Sequence, residues 1–214
     1  MKEQIIYFFD PLCGWCYGFS QVIFDFKEKY NNRFEFVAIP GGMMTGDRIK
    51  PYKELTDFVT QANPRVEQIS GTKFGEDYKA RFLNKDCTIL TDSEPPSRGL
   101  LTLRSFIPDK GIECAHWLQK SHFFQGKDYN DPELYSELAS AFALDQKEFM
   151  NRYKSDEIKK NVMEEFAWVK EAGIQGFPTV VYRLENKYYL LTHGYAELNQ
   201  LETTLAKALK MVSK

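Results

Sequence analysis

The chain has 214 residues, with 28 Lys+Arg against 30 Asp+Glu for a formal net charge of −2, and 43% of its residues are hydrophobic. That balance excludes a nucleic-acid binder relying on a dense basic surface, and the apolar content excludes disorder. The longest apolar runs, such as Ile5 to Phe9, fall far short of the roughly 20 residues needed to span a bilayer.

Gln4 to Phe9 is a run of aromatic and β-branched residues that reads as a strand buried on both faces, ended by the Asp10-Pro11 turn. From Trp15 the apolar positions 15, 19, 22, 23, 26 and 30 follow helical spacing. Phe34 to Ile39 predicts a second strand, stopped by Pro40-Gly41-Gly42, so the opening reads as a right-handed β-α-β crossover. The glycines and Met43-Met44 leave that strand at its carboxyl end, where open α/β sheets bind ligands; the methionines suit either an adaptable surface or core filling.

From about Asp47 to Tyr153 every candidate element carries helical periodicity. Tyr52, Leu55, Phe58, Val59 and Ala62 mark one helix, closed at Asn63-Pro64; another opens at Ser93-Glu94-Pro95-Pro96. Asp109 is placed to cap the helix carrying Ile112, Trp117 and Leu118, and Asp131-Pro132 and Asp145 start two more. Ser155 caps a further helix, which Gly173 ends in the left-handed conformation. Thr179 to Arg183 and Tyr188 to Thr192 form a hairpin around Glu185-Asn186-Lys187, and Leu198 to Val212 is a last amphipathic helix. The expected organisation is a discontinuous α/β domain, residues 1–45 and 155–214, holding a helical insertion of residues 46–154.

The chemistry points to Cys13-Gly14-Trp15-Cys16, where strand gives way to helix. Cysteines three apart on a first helical turn share a face at a separation that a disulfide can span, and the N-terminus of a helix favours the thiolate of the earlier one. Cys13 is therefore expected to be the exposed nucleophile and Cys16 the thiol that resolves the mixed disulfide. A zinc site would need two further ligands; Cys87, Cys114, His116, His122 and His193 show no helical i, i+4 pairing that would supply them. Cys114 shares a helical face with Trp117 and Leu118 and reads as a core thiol. Nothing near Cys87 favours a reactive regulatory thiol over an ordinary one.

Phe9 to Phe19, Phe-Asp-Pro-Leu-Cys-Gly-Trp-Cys-Tyr-Gly-Phe, together with Gly176-Phe177-Pro178-Thr179, resembles the DsbA-like thiol–disulfide oxidoreductases of the thioredoxin superfamily, in the protein-disulfide isomerase branch near the FrnE-type proteins. The resemblance covers nearly the whole chain. It implies a thioredoxin fold with a large all-helical insertion, catalytic Cys13 and Cys16, and a cis bond before Pro178 that frees the Phe177 backbone to pair with an extended substrate. Trp15, Phe177 and Pro178 are the expected substrate contacts, although Trp15 can equally be packing. The implied partners are protein or small-molecule disulfides and thiols, with no metal or organic cofactor and an external thiol such as glutathione as electron partner. Neither nucleic acid nor membrane is an expected partner, and the start of the chain, with no long apolar stretch, reads as cytoplasmic.

Departures from the family pattern carry their own expectations. Gly-Trp stands between the cysteines where strongly oxidising members have Pro-His, so the couple is expected to be less oxidising, nearer a reductase or isomerase. Tyr7 occupies the place of the buried acid of thioredoxins, while Asp10 reads chiefly as a turn residue. Phe177 replaces a smaller residue and is expected to narrow the groove. Two rival readings remain at this point: a glutathione-dependent isomerase or transferase similar to the chromene-carboxylate isomerase and kappa-class branch, and a non-catalytic cytoplasmic adaptor.

Overall fold

The computed structural model describes residues 3–212. Strand β1, Gln4–Phe9, takes an inner place in a four-stranded sheet ordered β2-β1-β5-β6. It pairs in parallel with β2 (Glu35–Pro40, Ile5 opposite Phe36) and antiparallel with β5 (Thr179–Leu184, Phe8 opposite Thr179); β6 (Lys187–His193) closes the far edge. Ile5 to Phe9 are each 3% exposed or less, because alternate side chains meet apolar layers on both faces. Ile5, Tyr7 and Phe9 enter a large core with Phe19, Ile23 and Phe26 of helix α1 (Gly14–Tyr30), whereas Ile6 and Phe8 pack with Val169 on the other face.

The segment between β2 and the late strands is helical apart from one short ladder. Helices α2 (Thr56–Ser70), α3 (Glu76–Phe82), α4 (Glu94–Phe106), α5 (Gly111–Phe123), α6 (Glu133–Ala141) and α7 (Gln146–Tyr153) follow one another, and β3 (Lys50–Pro51) pairs with β4 (Leu90–Thr91). That two-residue pairing is a departure from the all-helical expectation, and it is too short to leave any alternation in the sequence. Helix α8 (Asp156–Glu171) then covers the second face of the sheet, and α9 (Leu198–Val212) packs beside β6 and α1. The architecture is a thioredoxin fold with a helical insertion. No described helix is long and apolar enough to cross a membrane.

Local signals account for several boundaries. Asp145 and Ser155 accept the backbone N–H groups of Glu148 and Ile158, capping α7 and α8, and Gly173 follows α8 at φ 71°. Two expectations fail. Asp109 lies in a 3-10 turn ahead of α5 and caps nothing; its carbonyl instead accepts from Lys27 at 2.5 Å. Pro64 does not end α2. Its ring faces solvent, and Val66 beyond it is buried against Gly18 of α1, so packing outweighs the lost N–H bond and carries the helix on to Gly71 at φ 74°.

Helix α1 takes part in two hydrophobic clusters. Cys16 and Phe19 belong to the large core, while Tyr17 joins Tyr52, Val66, Phe74, Tyr78 and Phe123 in a second cluster within the insertion. The first turn of α1 therefore lies where sheet and insertion meet.

Candidate active site

The turn after β1 is held by its own aspartate. The Leu12 N–H donates to Asp10 Oδ1 at 2.9 Å and the Cys13 N–H to the Asp10 carbonyl at 3.1 Å, an arrangement that sets Cys13 at the N-cap of α1. Asp10 does more than its sequence position suggests. Its carboxylate is fully buried and also accepts the Met43 N–H at 2.7 Å and the Ser93 hydroxyl at 3.0 Å. One side chain thus ties the cysteine turn to the loop after β2 and to the start of α4. Burial pushes its pKa up to about 6 despite those three donors.

Cys16 is fully buried, and its thiol is within hydrogen-bonding reach of Cys13. Burial, that hydrogen bond and the charge of Cys13 hold the Cys16 pKa well above the ordinary thiol value. Tyr7, in the place where thioredoxins carry an acid, donates its hydroxyl to the Cys16 carbonyl at 3.5 Å and is itself fully buried. Burial first, then the neighbouring sulfurs, raise its pKa, so it stays a neutral phenol.

Opposite the cysteines, the Phe177–Pro178 bond is cis, and the Phe177 carbonyl lies 3.5 Å from the Cys13 sulfur, which donates to it. Phe177 fits there because residue 41 is glycine: a Cβ at Gly41 would stand 1.9 Å from the Phe177 ring. Gly42, at φ 65°, likewise leaves room for Phe166. The crowding has a consequence that the sequence reading missed. Cys13 is only 8% exposed, not an open thiol, because the turn holds it beneath the Phe177 carbonyl.

What surface Cys13 keeps opens on two cavities of different character. One, of about 310 Å³, lies between the first turn of α1 and the insertion and is lined by Leu12, Trp15, Met43, Phe58 and Asn63 among others. The second, of about 750 Å³, lies between the loop after β2, the end of α8 and the Phe177 loop, and carries Arg48 and Lys170. The structure therefore brings together Cys13, Cys16, Phe177 and Pro178, and it puts Trp15 in the wall of the first cavity. Cys114 is buried in the large core, and burial raises its pKa; Cys87 is 6% exposed within the second cluster. Among the described residues, no group of three or more His, Cys, Asp or Glu is arranged to hold a metal ion.

Such an arrangement suits stepwise sulfur exchange: one thiol meets the cavities at a helix N-terminus, and a second waits behind it, shielded from solvent. Sequence reasoning reads Ser93 and Asn63 only as helix-end residues, since each reaches the cysteine turn through tertiary packing.

The fold is shared with known proteins. The structure is similar to that of a "putative protein disulfide isomerase" from Nitrosomonas europaea, at TM-score 0.87 and 25% identity over 99% of both chains. It is also similar to the cytosolic disulfide reductase DsbM from Pseudomonas aeruginosa, at TM-score 0.80 and 23% identity over 97% of this chain and 99% of that one. A 2-hydroxychromene-2-carboxylate isomerase shares the fold at TM-score 0.66 and 13% identity, over 98% of this chain and 97% of the other. No curated protein sequence matches the chain. The profile of the DSBA-like thioredoxin domain matches residues 4–206, nearly the full length, and the chain belongs to that family.

Proposed function

We propose that the protein is a thiol–disulfide oxidoreductase working in the reducing or isomerising direction, with Cys13 as nucleophile and Cys16 as resolving thiol. In this reading residues 1–45 and 155–214 form the thioredoxin-like domain and residues 46–154 its helical insertion. The observation that carries the proposal is the asymmetry of the pair: Cys13 reaches both cavities from the N-cap of α1, whereas Cys16 is sealed and kept protonated. Cys13 attacks a substrate disulfide, one S–S bond breaks as another forms, and the leaving sulfur takes up a proton. Cys16 then displaces the second substrate sulfur from Cys13, so two electrons pass from the dithiol to the substrate and an enzyme disulfide remains.

The Phe177 carbonyl, which accepts from the Cys13 thiol at 3.5 Å, has a second lone pair for the backbone N–H of an extended substrate alongside Pro178. Trp15 offers an aromatic wall to whatever enters the smaller cavity. Arg48 and Lys170 suit the carboxylates of an anionic thiol, which favours glutathione as the electron partner that restores the dithiol. DsbM from Pseudomonas aeruginosa, 23% identical at TM-score 0.77, has been solved with GSH. With Trp15 rather than a histidine between the cysteines, no side-chain charge there stabilises the reduced pair, in keeping with a couple less oxidising than DsbA and with work in the cytoplasm.

Equilibration with glutathione buffers, followed by tryptophan fluorescence, tests the reading. The expected result is a single two-electron transition that Cys13→Ser abolishes, together with a stable glutathione adduct on Cys13 in Cys16→Ala. A transition that persists without Cys13, or turnover by a Cys13→Ser, Cys16→Ser double variant, would overturn it.

A further inference from the structure

The cavity of about 310 Å³ between the α1 turn and the insertion is far larger than the voids that close-packed interiors leave unfilled. Its walls are aromatic and thioether groups, among them Trp15, Met43, Tyr52 and Phe58, and Cys13 forms part of one side. Phe58 stands at 73% exposure, a large ring left in solvent. Among the described residues no charged side chain lines this cavity, in contrast to the neighbouring one with Arg48 and Lys170.

Few polar groups line it, and two of them are already engaged. The Tyr52 hydroxyl pairs with His122 Nε2 at 2.6 Å, and the Thr91 hydroxyl donates to the Lys50 carbonyl at 2.8 Å. Asn63 differs. It is only 7% exposed, and its Nδ2 completes no hydrogen bond of normal geometry; its polar neighbour is the Tyr78 hydroxyl, whose pKa burial raises and the Asn63 amide lowers in part. An unpaired buried amide donor destabilises the fold, a cost removed when an acceptor binds. The same amide stands beside the reactive turn, its Oδ1 being 3.8 Å from where a Cβ on Gly14 would lie.

We infer that this cavity seats a compact, uncharged aromatic group attached to the sulfur that Cys13 attacks, and that Asn63 selects for a carbonyl or similar acceptor on that ring. The inference rests on the oxidoreductase reading and names its substrate class: small disulfides with an aromatic arm. A ring on the substrate's own sulfur can enter directly from Cys13, whereas a peptide segment would bring many backbone N–H and C=O groups into a cavity with few polar groups to meet them. Attack by Cys13 breaks the substrate S–S bond, and the other half departs as its thiol, carrying the Cys13 proton. The aromatic half stays bonded to Cys13 with its ring in the cavity. Cys16 then displaces it, the Cys16 proton passing to the departing aromatic thiolate, and an external thiol of the glutathione class later reduces the enzyme disulfide.

Three disulfides separate the possibilities: those of 4-acetylbenzyl thiol, of 4-isopropylbenzyl thiol, which has the same shape without the acceptor, and of 2-hydroxyethanethiol. The expected order of kcat/KM, after subtraction of the uncatalysed glutathione rate, puts both benzyl disulfides at least about tenfold above hydroxyethyl disulfide. The acetyl compound should exceed the isopropyl by about five- to tenfold, mostly through KM. Asn63→Leu should erase the acetyl preference and keep the aromatic one. Ala62→Leu, which fills the cavity from α2, should shrink the ratio of both benzyl disulfides to hydroxyethyl disulfide. Equal kcat/KM for all three in the wild type, or ratios unmoved by both variants, would overturn the inference and leave the oxidoreductase reading standing. Binding of 4-acetylbenzyl methyl sulfide, which has no S–S bond, is read by Trp15 fluorescence. Saturable binding without reduction of any disulfide would sink the oxidoreductase reading and support the cavity; no saturable binding would overturn the cavity.

Discussion

Replacing Asp10 with asparagine isolates the electrostatic cost of the buried carboxylate beneath the cysteine turn. Its folded pKa is raised from 3.8 to about 6, so the folded state prefers the protonated acid. The sign of the linkage follows: this group costs nothing well below pH 4, and it subtracts stability as pH rises through 6. The displacement corresponds to about 3 kcal/mol at neutral pH and above, undiscounted for solvent because the side chain is fully buried. Asparagine removes the charge and keeps an oxygen for Leu12 and Ser93, but its NH2 group then faces the Met43 N–H, a loss of about 1–3 kcal/mol that does not vary with pH. Urea unfolding of both proteins between pH 4 and 7.5 separates the two effects. The stability of Asp10→Asn relative to wild type should rise by about 2–3 kcal/mol across that range. A difference constant with pH would show that Asp10 folds with an ordinary carboxyl pKa, and the argument from burial would be wrong.

His122 should act in the opposite direction. It is 1% exposed, held between the Tyr52 hydroxyl and the Lys127 carbonyl, and burial lowers its pKa to about 4. Its contribution is full above pH 6.5 and is lost as pH falls through 4, about 3 kcal/mol in all, so His122→Gln should flatten that acid limb in urea titrations. Gly41→Ala would put a methyl group 1.9 Å from the Phe177 ring. Displacing that ring should lower stability by about 1–3 kcal/mol in thermal or urea unfolding, and it should slow disulfide reduction more than the stability loss explains, since Phe177 carries the carbonyl beside Cys13.

Much of this arrangement was legible in the residues because local rules decide it. The apolar period of α1, the caps at Asp145 and Ser155, and the left-handed Gly173 are short-range signals, and the structure agrees with each. The Cys13–Cys16 turn and the Phe177-Pro178 loop could be paired through a family resemblance, not through any pattern linking positions 164 residues apart. Long-range packing hid the remainder. Pro64 reads as a helix end until Val66 is seen against Gly18, and Asp10 reads as a turn former until Met43 and Ser93 converge on it. The confinement of Cys13 to 8% exposure depends on how closely the Phe177 carbonyl approaches, which no local spacing encodes.

The sheet order has a consequence for the chain as it is made. Cys13 is synthesised 164 residues ahead of the Phe177 carbonyl that covers it, and the strand that pairs with the free edge of β1 follows that carbonyl. Until then the emerging polypeptide carries two thiols without the carbonyl or the strand that face them in the fold, and selective exchange begins only once Phe177 and β5 have left the ribosome and docked.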